Sequence, residues 1–185
     1  MIQEELPGKQ PQKPRFTEEL VDHYWGSINY VQSLIRASEL KAGLILSFYG
    51  ILMNFVYQSI SIVTVHPSFQ IILYILLGIW FCCTVASIYF AIRCFIPRME
   101  IKYDKNVFFF QDVISRFGNI KQFSKFFHEI STDEDALFDQ LGQQIYILSK
   151  IATIKFKNVH RSLQFLAYGL VVMLLVIIYY VVVSV

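Results

Sequence analysis

The stretch AGLILSFYGILMNFVYQSISIVTVHPSFQIILYILLGIWFCCTVASIYFAI, residues 42–92, runs for 51 residues without a Lys, Arg, Asp or Glu. A helix rises about 1.5 Å per residue, so roughly 20 apolar residues cross a hydrocarbon core roughly 30 Å thick. The run is too long for one crossing and long enough for two. His66-Pro67-Ser68 divides it, because proline lacks an N–H and closes helices into turns. The division predicts spans over 42–65 and 69–92. A second charge-free run, SLQFLAYGLVVMLLVIIYYVVVSV at 162–185, predicts a third span.

Composition agrees with this partition. Of the 185 residues, 55% are hydrophobic and 16% charged, against about a quarter charged in soluble domains, and the mean hydropathy is +0.48. Such a chain is neither an ordinary soluble globule nor intrinsically disordered, since disorder needs low hydrophobicity and high net charge. A formal charge of +2 carries no basic signature, so no nucleic-acid partner is expected. The basic residues cluster instead. Lys9, Lys13, Arg15, Arg36 and Lys41 precede the first span, the other 11 lie between Arg93 and Arg161, and none lies in the turn near His66. The positive-inside rule then predicts a multi-pass protein of the cell membrane, with the N-terminus and residues 93–161 cytoplasmic and the C-terminus outside. The N-terminal residues, polar and carrying Pro7, Pro11 and Pro14, lack the pattern of a secretory signal peptide, and 1–16 read as a flexible arm.

Both cytoplasmic stretches have helical periodicity. Leu20, Tyr24, Ile28, Val31, Ile35, Ser38 and Ala42 recur at spacings of three or four from Thr17, predicting a helix over 17–41 that leads into the first span. Phe138, Leu141, Ile145, Leu148, Ala152, Phe156, Val159 and Leu163 do the same into the third. Ser131-x-x-Glu134 has capping-box form ahead of that helix. Unbroken, it would run roughly 75–80 Å, with Gly142 and Gly169 as candidate kinks. Asn106 to Ile130 predicts one or two shorter helices interrupted near Gly118-Asn119, and Pro97 separates this insert from the second span. The fold class is therefore an all-α membrane protein: three transmembrane helices, helical cytoplasmic extensions, and a helical cytoplasmic sensor region at 97–161.

Catalytic chemistry is not indicated. The four histidines are scattered, and no His-Glu-x-x-His, Cys-x-x-Cys, phosphate loop or nucleophile elbow occurs, so the chain reads as a non-enzyme without cofactor. Asp133-Glu134-Asp135 with Asp139 suits a helix N-terminus without invoking a metal. Cys82, Cys83 and Cys94 read as packing residues, since a vicinal pair in a span is no disulfide framework. In the first span Gly43, Ser47, Gly50, Asn54, Gln58 and Ser61 form one stripe. Amides are costly in hydrocarbon, so Ser47, Asn54 and Gln58 should face a neighbouring helix, with Gly78, Cys82 and Ala86 as a matching face, or line an oligomeric water-filled pathway.

Three elements remain: Glu39-Leu40-Lys41-Ala42 opening the first span, Phe109-Phe110-Gln111-Asp112 after the second, and Gln144-Ile145 with Ser149, Ile151 and Lys155 before the third. Glu39 and Lys41 lie two apart on a helix and so require separate partners. In this order and with this span layout, from roughly Ile28 to Ile178, the chain resembles the transmembrane effectors of Pycsar anti-phage systems. It has Glu39 where aspartate is common and Gln111 where glycine is common. The resemblance implies that a cyclase makes cyclic UMP or cyclic CMP on infection, and that the effector, as a homo-oligomer, binds it in the cytoplasm and impairs the inner membrane to cause growth arrest. Joined to the cationic and aromatic residues on that side, it gives a candidate ligand set of Lys41, Asn106, Phe110, Arg116, Lys150 and Lys155. The alternative is a membrane scaffold whose cytoplasmic coils hold a protein partner and bind no nucleotide.

Overall fold

The computed structural model of the chain describes residues 13–60, 70–96 and 105–184. The described residues form five helices and no strand: α1 (Lys13–Ile60), α2 (Gln70–Phe95), α3 (Phe110–Ser115), α4 (Ile120–Thr132) and α5 (Glu134–Ser184). The turn at His66-Pro67-Ser68, Ser61, Pro97 and the first 12 residues lie outside the described residues. α1 begins at Lys13, four residues ahead of Thr17, and continues unbroken into the apolar run. Three helices, α1, α2 and α5, carry segments long and apolar enough to cross a membrane.

Two compact units are present, and α1 and α5 contribute to both. The unit holding the apolar runs takes 32–60 of α1, α2, and α5 from Ser149 onward. Its core is Ala42, Ile45 and Tyr49 of α1, Ala91 and Cys94 of α2 and Val159 of α5, with Leu46, Leu52, Ile88 and Leu166 packed around it. Small residues at 42, 91 and 94 let the helices approach closely, as in membrane bundles. Gly169 is buried beside them, where a Cβ would make ordinary contact with Cys83 at 3.6 Å and Trp80 at 3.9 Å. The outward surface is apolar, with Leu44, Ile51, Phe55, Ile71, Ile75, Val171, Leu174 and Val182 exposed. Only 11–22% of each apolar window is buried. A core helix of a soluble protein buries such a window, so bilayer is the solvent that fits this surface.

The other unit combines the start of α1 with α3, α4 and the start of α5. Ile28, Val107, Phe109, Phe117, Leu141 and Ile147 are buried in it. Aromatic rings join its elements: Tyr24 meets Phe138 at 5.4 Å, Trp25 meets Phe108 at 5.8 Å, and Phe117 meets Phe123 and Phe126 at 5.4 and 5.3 Å. Gly118, at φ +70°, makes the break between α3 and α4, a conformation glycine adopts without steric cost. Asn119 then caps α4, its side chain accepting from the Gln122 amide at 2.9 Å.

One local expectation is corrected. The cap of α5 is Asp133, whose carboxylate accepts from the Ala136 amide at 3.2 Å; Ser131 lies inside α4 and donates to the Phe127 carbonyl. Asp133 leaves the helical region at φ −104°, ψ 111° and so wins the cap position. α5 continues as helix through Gly142 and Gly169. A Cβ at Gly142 would meet the Tyr24 ring at 3.9 Å, an ordinary van der Waals contact.

Candidate functional site

Two charged residues of the apolar unit, Glu39 and Lys155, meet where α1, α2 and α5 leave the apolar runs. Lys155 of α5 is buried and donates to Glu39 of α1 at 2.6 Å and to the backbone carbonyl of Cys94 in α2 at 2.8 Å. The last carbonyls of α2 have no intrahelical partner and carry the negative end of its dipole, so an ammonium there is doubly satisfied. Asn158, one turn along α5, donates to the Arg93 carbonyl at 3.5 Å. Ser38, fully buried beside Glu39, donates to the Ile35 carbonyl at 2.7 Å. Lys41, facing away from Glu39 as the two-residue spacing requires, is exposed and sits 5.7 Å from the Phe156 ring centroid.

Deeper in the same unit, polar groups continue along the helix seam. Ser87 of α2 and Ser162 of α5 are fully buried and exchange hydrogen bonds, each hydroxyl donating to the other's carbonyl at 2.8 Å. Beside them the Tyr49 hydroxyl, near Ser87 and Thr84, and Thr84 Oγ1 are buried with no hydrogen bond of good geometry among the described residues.

In the second unit the insert is tied down by a separate polar knot. Asn106 Nδ2 donates to the Gln140 carbonyl at 2.7 Å, its Oδ1 accepts from the Phe108 amide at 2.9 Å, and its own amide donates to Asp112 at 3.0 Å. Gln140 Oε1 accepts from the Val107 amide at 3.1 Å. The carboxylate of Asp112, itself buried, also meets Arg116 Nε at 3.4 Å. A buried charge is tolerated when paired and hydrogen-bonded in this way.

The six candidate ligand residues divide evenly: Lys41, Lys150 and Lys155 belong to the apolar unit, and Asn106, Phe110 and Arg116 to the other. Asn106 and Lys155 are buried and committed to internal partners. Phe110 is 76% exposed, Lys41 and Lys150 are exposed, and Arg116 is exposed at the rim of the Asp112 knot. Sequence reasoning missed Gln140, Asn158 and the Ser87–Ser162 pair. Polar residues in otherwise apolar runs were the available signal for the last.

The stripe of the first span lies mostly on an exposed face of α1 among the described residues, with Gly43 half-buried near Phe95. Ser47, Gly50, Asn54 and Gln58 are exposed, and Gln58 donates to Asn54 at 3.2 Å. In the single chain Gly78 and Cys82 are exposed and Ala86 is half-buried, and added Cβ atoms at Gly50 and Gly78 would meet nothing within 4 Å. Ala42, Ile45 and Tyr49, a neighbouring face of α1, form the packed face. Of the cysteines, Cys94 and Cys83 pack as expected and Cys82 does not.

No curated protein and no solved structure matches the chain. The sequence pattern of the Pycsar effector protein domain, PycTM, matches residues 23–182, a range that takes in α2, α3 and α4, most of α1 and α5, and both polar clusters. The chain therefore belongs to the Pycsar effector family, and is a multi-pass membrane effector of anti-phage defence linked to the cyclic-pyrimidine signalling of a cyclase.

Proposed function

We propose that the chain binds cyclic UMP or cyclic CMP on its cytoplasmic side and, on binding, impairs the inner membrane as a homo-oligomer, arresting growth before phage mature. The observation that carries this reading is the family match across residues 23–182. The N-terminus and the insert face the cytoplasm and the C-terminus faces outward, as the clustering of Lys and Arg supports. The domain boundaries of the sequence reading go with it: 1–16 arm, 17–41 leading helix, spans at 42–65, 69–92 and 162–185, and a sensor region at 97–161. The protein acts by binding and rearrangement, with no catalytic step.

Exposure sorts the ligand residues. Within the unit holding the apolar runs, Lys41 and Lys150 are exposed cations suited to a cyclic phosphate; within the other, Phe110 is an exposed ring suited to a pyrimidine base and Arg116 an exposed cation. Asn106 and Lys155 act as positioning residues through the contacts they already make. A ligand shifts a packing equilibrium only by its differential affinity for the two packings, so binding and membrane damage must both be measured.

Titration calorimetry of the purified full chain with cyclic UMP and cyclic CMP tests the first half, and growth on co-expression with a pyrimidine cyclase tests the second. Binding of one nucleotide, weakened in Lys41→Ala, with arrest only when the cyclase is present, is the expected result. Absence of binding together with cyclase-independent behaviour would favour the scaffold reading.

A further inference from the structure

We infer that the Glu39–Lys155 pair is the resting-state latch of the membrane bundle, and that its opening is the event by which the bundle loses its seal. The inference rests on the reading that this chain impairs a membrane. Lys155 donates simultaneously to α1 through Glu39 at 2.6 Å and to α2 through the Cys94 carbonyl at 2.8 Å. One ammonium thus ties all three membrane helices at one level. Its two sides are unequal: the Lys155 side chain is 9% exposed and that of Glu39 is 38% exposed. Glu39 therefore has water within reach as an alternative partner, whereas Lys155, once deserted, is an uncompensated buried cation that must move or draw water inward.

What lies beneath the pair makes such movement productive. Ser38, Ser87 and Ser162 are fully buried along the same seam, and the Tyr49 and Thr84 hydroxyls beside them are buried with no hydrogen bond of good geometry among the described residues. A closed packing that leaves hydroxyls unsatisfied is one that entering water would stabilise, because each group regains a hydrogen bond. Apolar residues at 39 and 155 would hold three helices together at least as well as an ion pair does. A pair that is weak as a fastener and costly to half-break suits a two-state element.

The test reads leakage of a self-quenched dye from liposomes holding the purified full chain, with no nucleotide added. Wild type should be tight. Glu39→Gln, which leaves the cation buried, should leak at least tenfold faster than wild type. Lys155→Met, which removes the cation and leaves a hydrated carboxylate, should leak less than Glu39→Gln. The double variant Glu39→Leu/Lys155→Met should leak less than either single variant. A folded, inserted Glu39→Gln protein as tight as wild type would overturn the latch, as would a wild type that leaks without nucleotide. If Glu39→Gln does not insert, Lys155→Met against the double variant decides: a double variant no tighter than Lys155→Met overturns the proposal. Because no nucleotide is present, failure of cyclic UMP and cyclic CMP to bind would sink the proposed function and leave this result standing.

Discussion

Replacing Asn106 by alanine separates a ligand contact from a positioning residue. The side chain makes two hydrogen bonds, to the Gln140 carbonyl and from the Phe108 amide, and is fully buried. A net hydrogen bond contributes about 1 kcal/mol, and an amide left without a partner adds a cost of about 1–3 kcal/mol. The Gln140 carbonyl lies inside α5 and keeps its helical partner, so the Phe108 amide bears most of the second cost. Together these give a destabilisation of about 2–4 kcal/mol. For a chain of this size about 1 kcal/mol corresponds to roughly 2–4 °C, so the melting temperature in detergent should fall by on the order of 5–15 °C. Asn106→Asp should be worse than alanine, since a carboxylate would face the Gln140 carbonyl near the Asp112 carboxylate, which the Asn106 amide contacts at 3.0 Å. Phe110→Ala, at an exposed position, should change stability by less than about 0.5 kcal/mol and weaken cyclic-nucleotide binding. An Asn106→Ala protein that melts like wild type yet has lost the nucleotide would refute the reasoning and place Asn106 on the ligand.

Three further outcomes follow from single contacts. Tyr49→Phe removes a buried hydroxyl with no hydrogen bond of good geometry among the described residues and should raise stability by about 1 kcal/mol; a lower melting temperature would mean that the hydroxyl bonds Ser87 or Thr84 beside it. Asp133→Ala should cost about 1 kcal/mol at the start of α5, read as faster amide hydrogen exchange at 134–137, and unchanged exchange would contradict the assigned cap. Gly118→Ala places a Cβ at φ +70° and 2.5 Å from Gln122 Oε1; the left-handed conformation alone costs about 1–2 kcal/mol. Gly118→Asn should be milder, and equal melting of all three proteins would reject the left-handed turn.

The long-range signals in the sequence carried the architecture because the bilayer imposes them. Charge-free runs of 51 and 24 residues have no stable place in water, and the pattern leading into them at Leu20 to Ala42 and Phe138 to Leu163 permits only helix. The break at Gly118-Asn119 was equally plain, since one residue supplies the positive φ and the next the cap. The cap of α5 was not, because Ser131, Asp133 and Glu134 all have capping chemistry and the choice depends on where α4 stops. The candidate site was half visible. Separate partners for Glu39 and Lys41 follow from their spacing, and the structure supplies Lys155 and Phe156. That Lys155 is inside rather than at the headgroups was hidden, because its fate depends on a carbonyl of another helix, and backbone carbonyls leave no mark in a sequence.

The two polar faces of the first span show where periodicity stops discriminating. Ala42, Ile45 and Tyr49 bury themselves against α2 and α5, while Ser47, Gly50 and Asn54 stay exposed. Neighbouring residues on a helix are about 100° apart, so both sets have spacings of three and four and both contain small or polar residues. The apolar moment cannot rank them, since every face of a span is apolar enough for lipid. The ranking comes from the partner helices: Cys94 and Ala91 of α2 and Val159 of α5 offer a smooth surface, with the Ser87–Ser162 pair supplying a satisfied polar contact at its side. A serine inside this bundle is satisfied by one neighbouring carbonyl, whereas the amides of Asn54 and Gln58 need several partners each and would leave groups unmet in so tight a seam. The amides of Asn54 and Gln58 therefore stay on the outer face, where a second copy, water or headgroups can reach them, while Ser87 and Ser162, which satisfy each other, lie on the inner one.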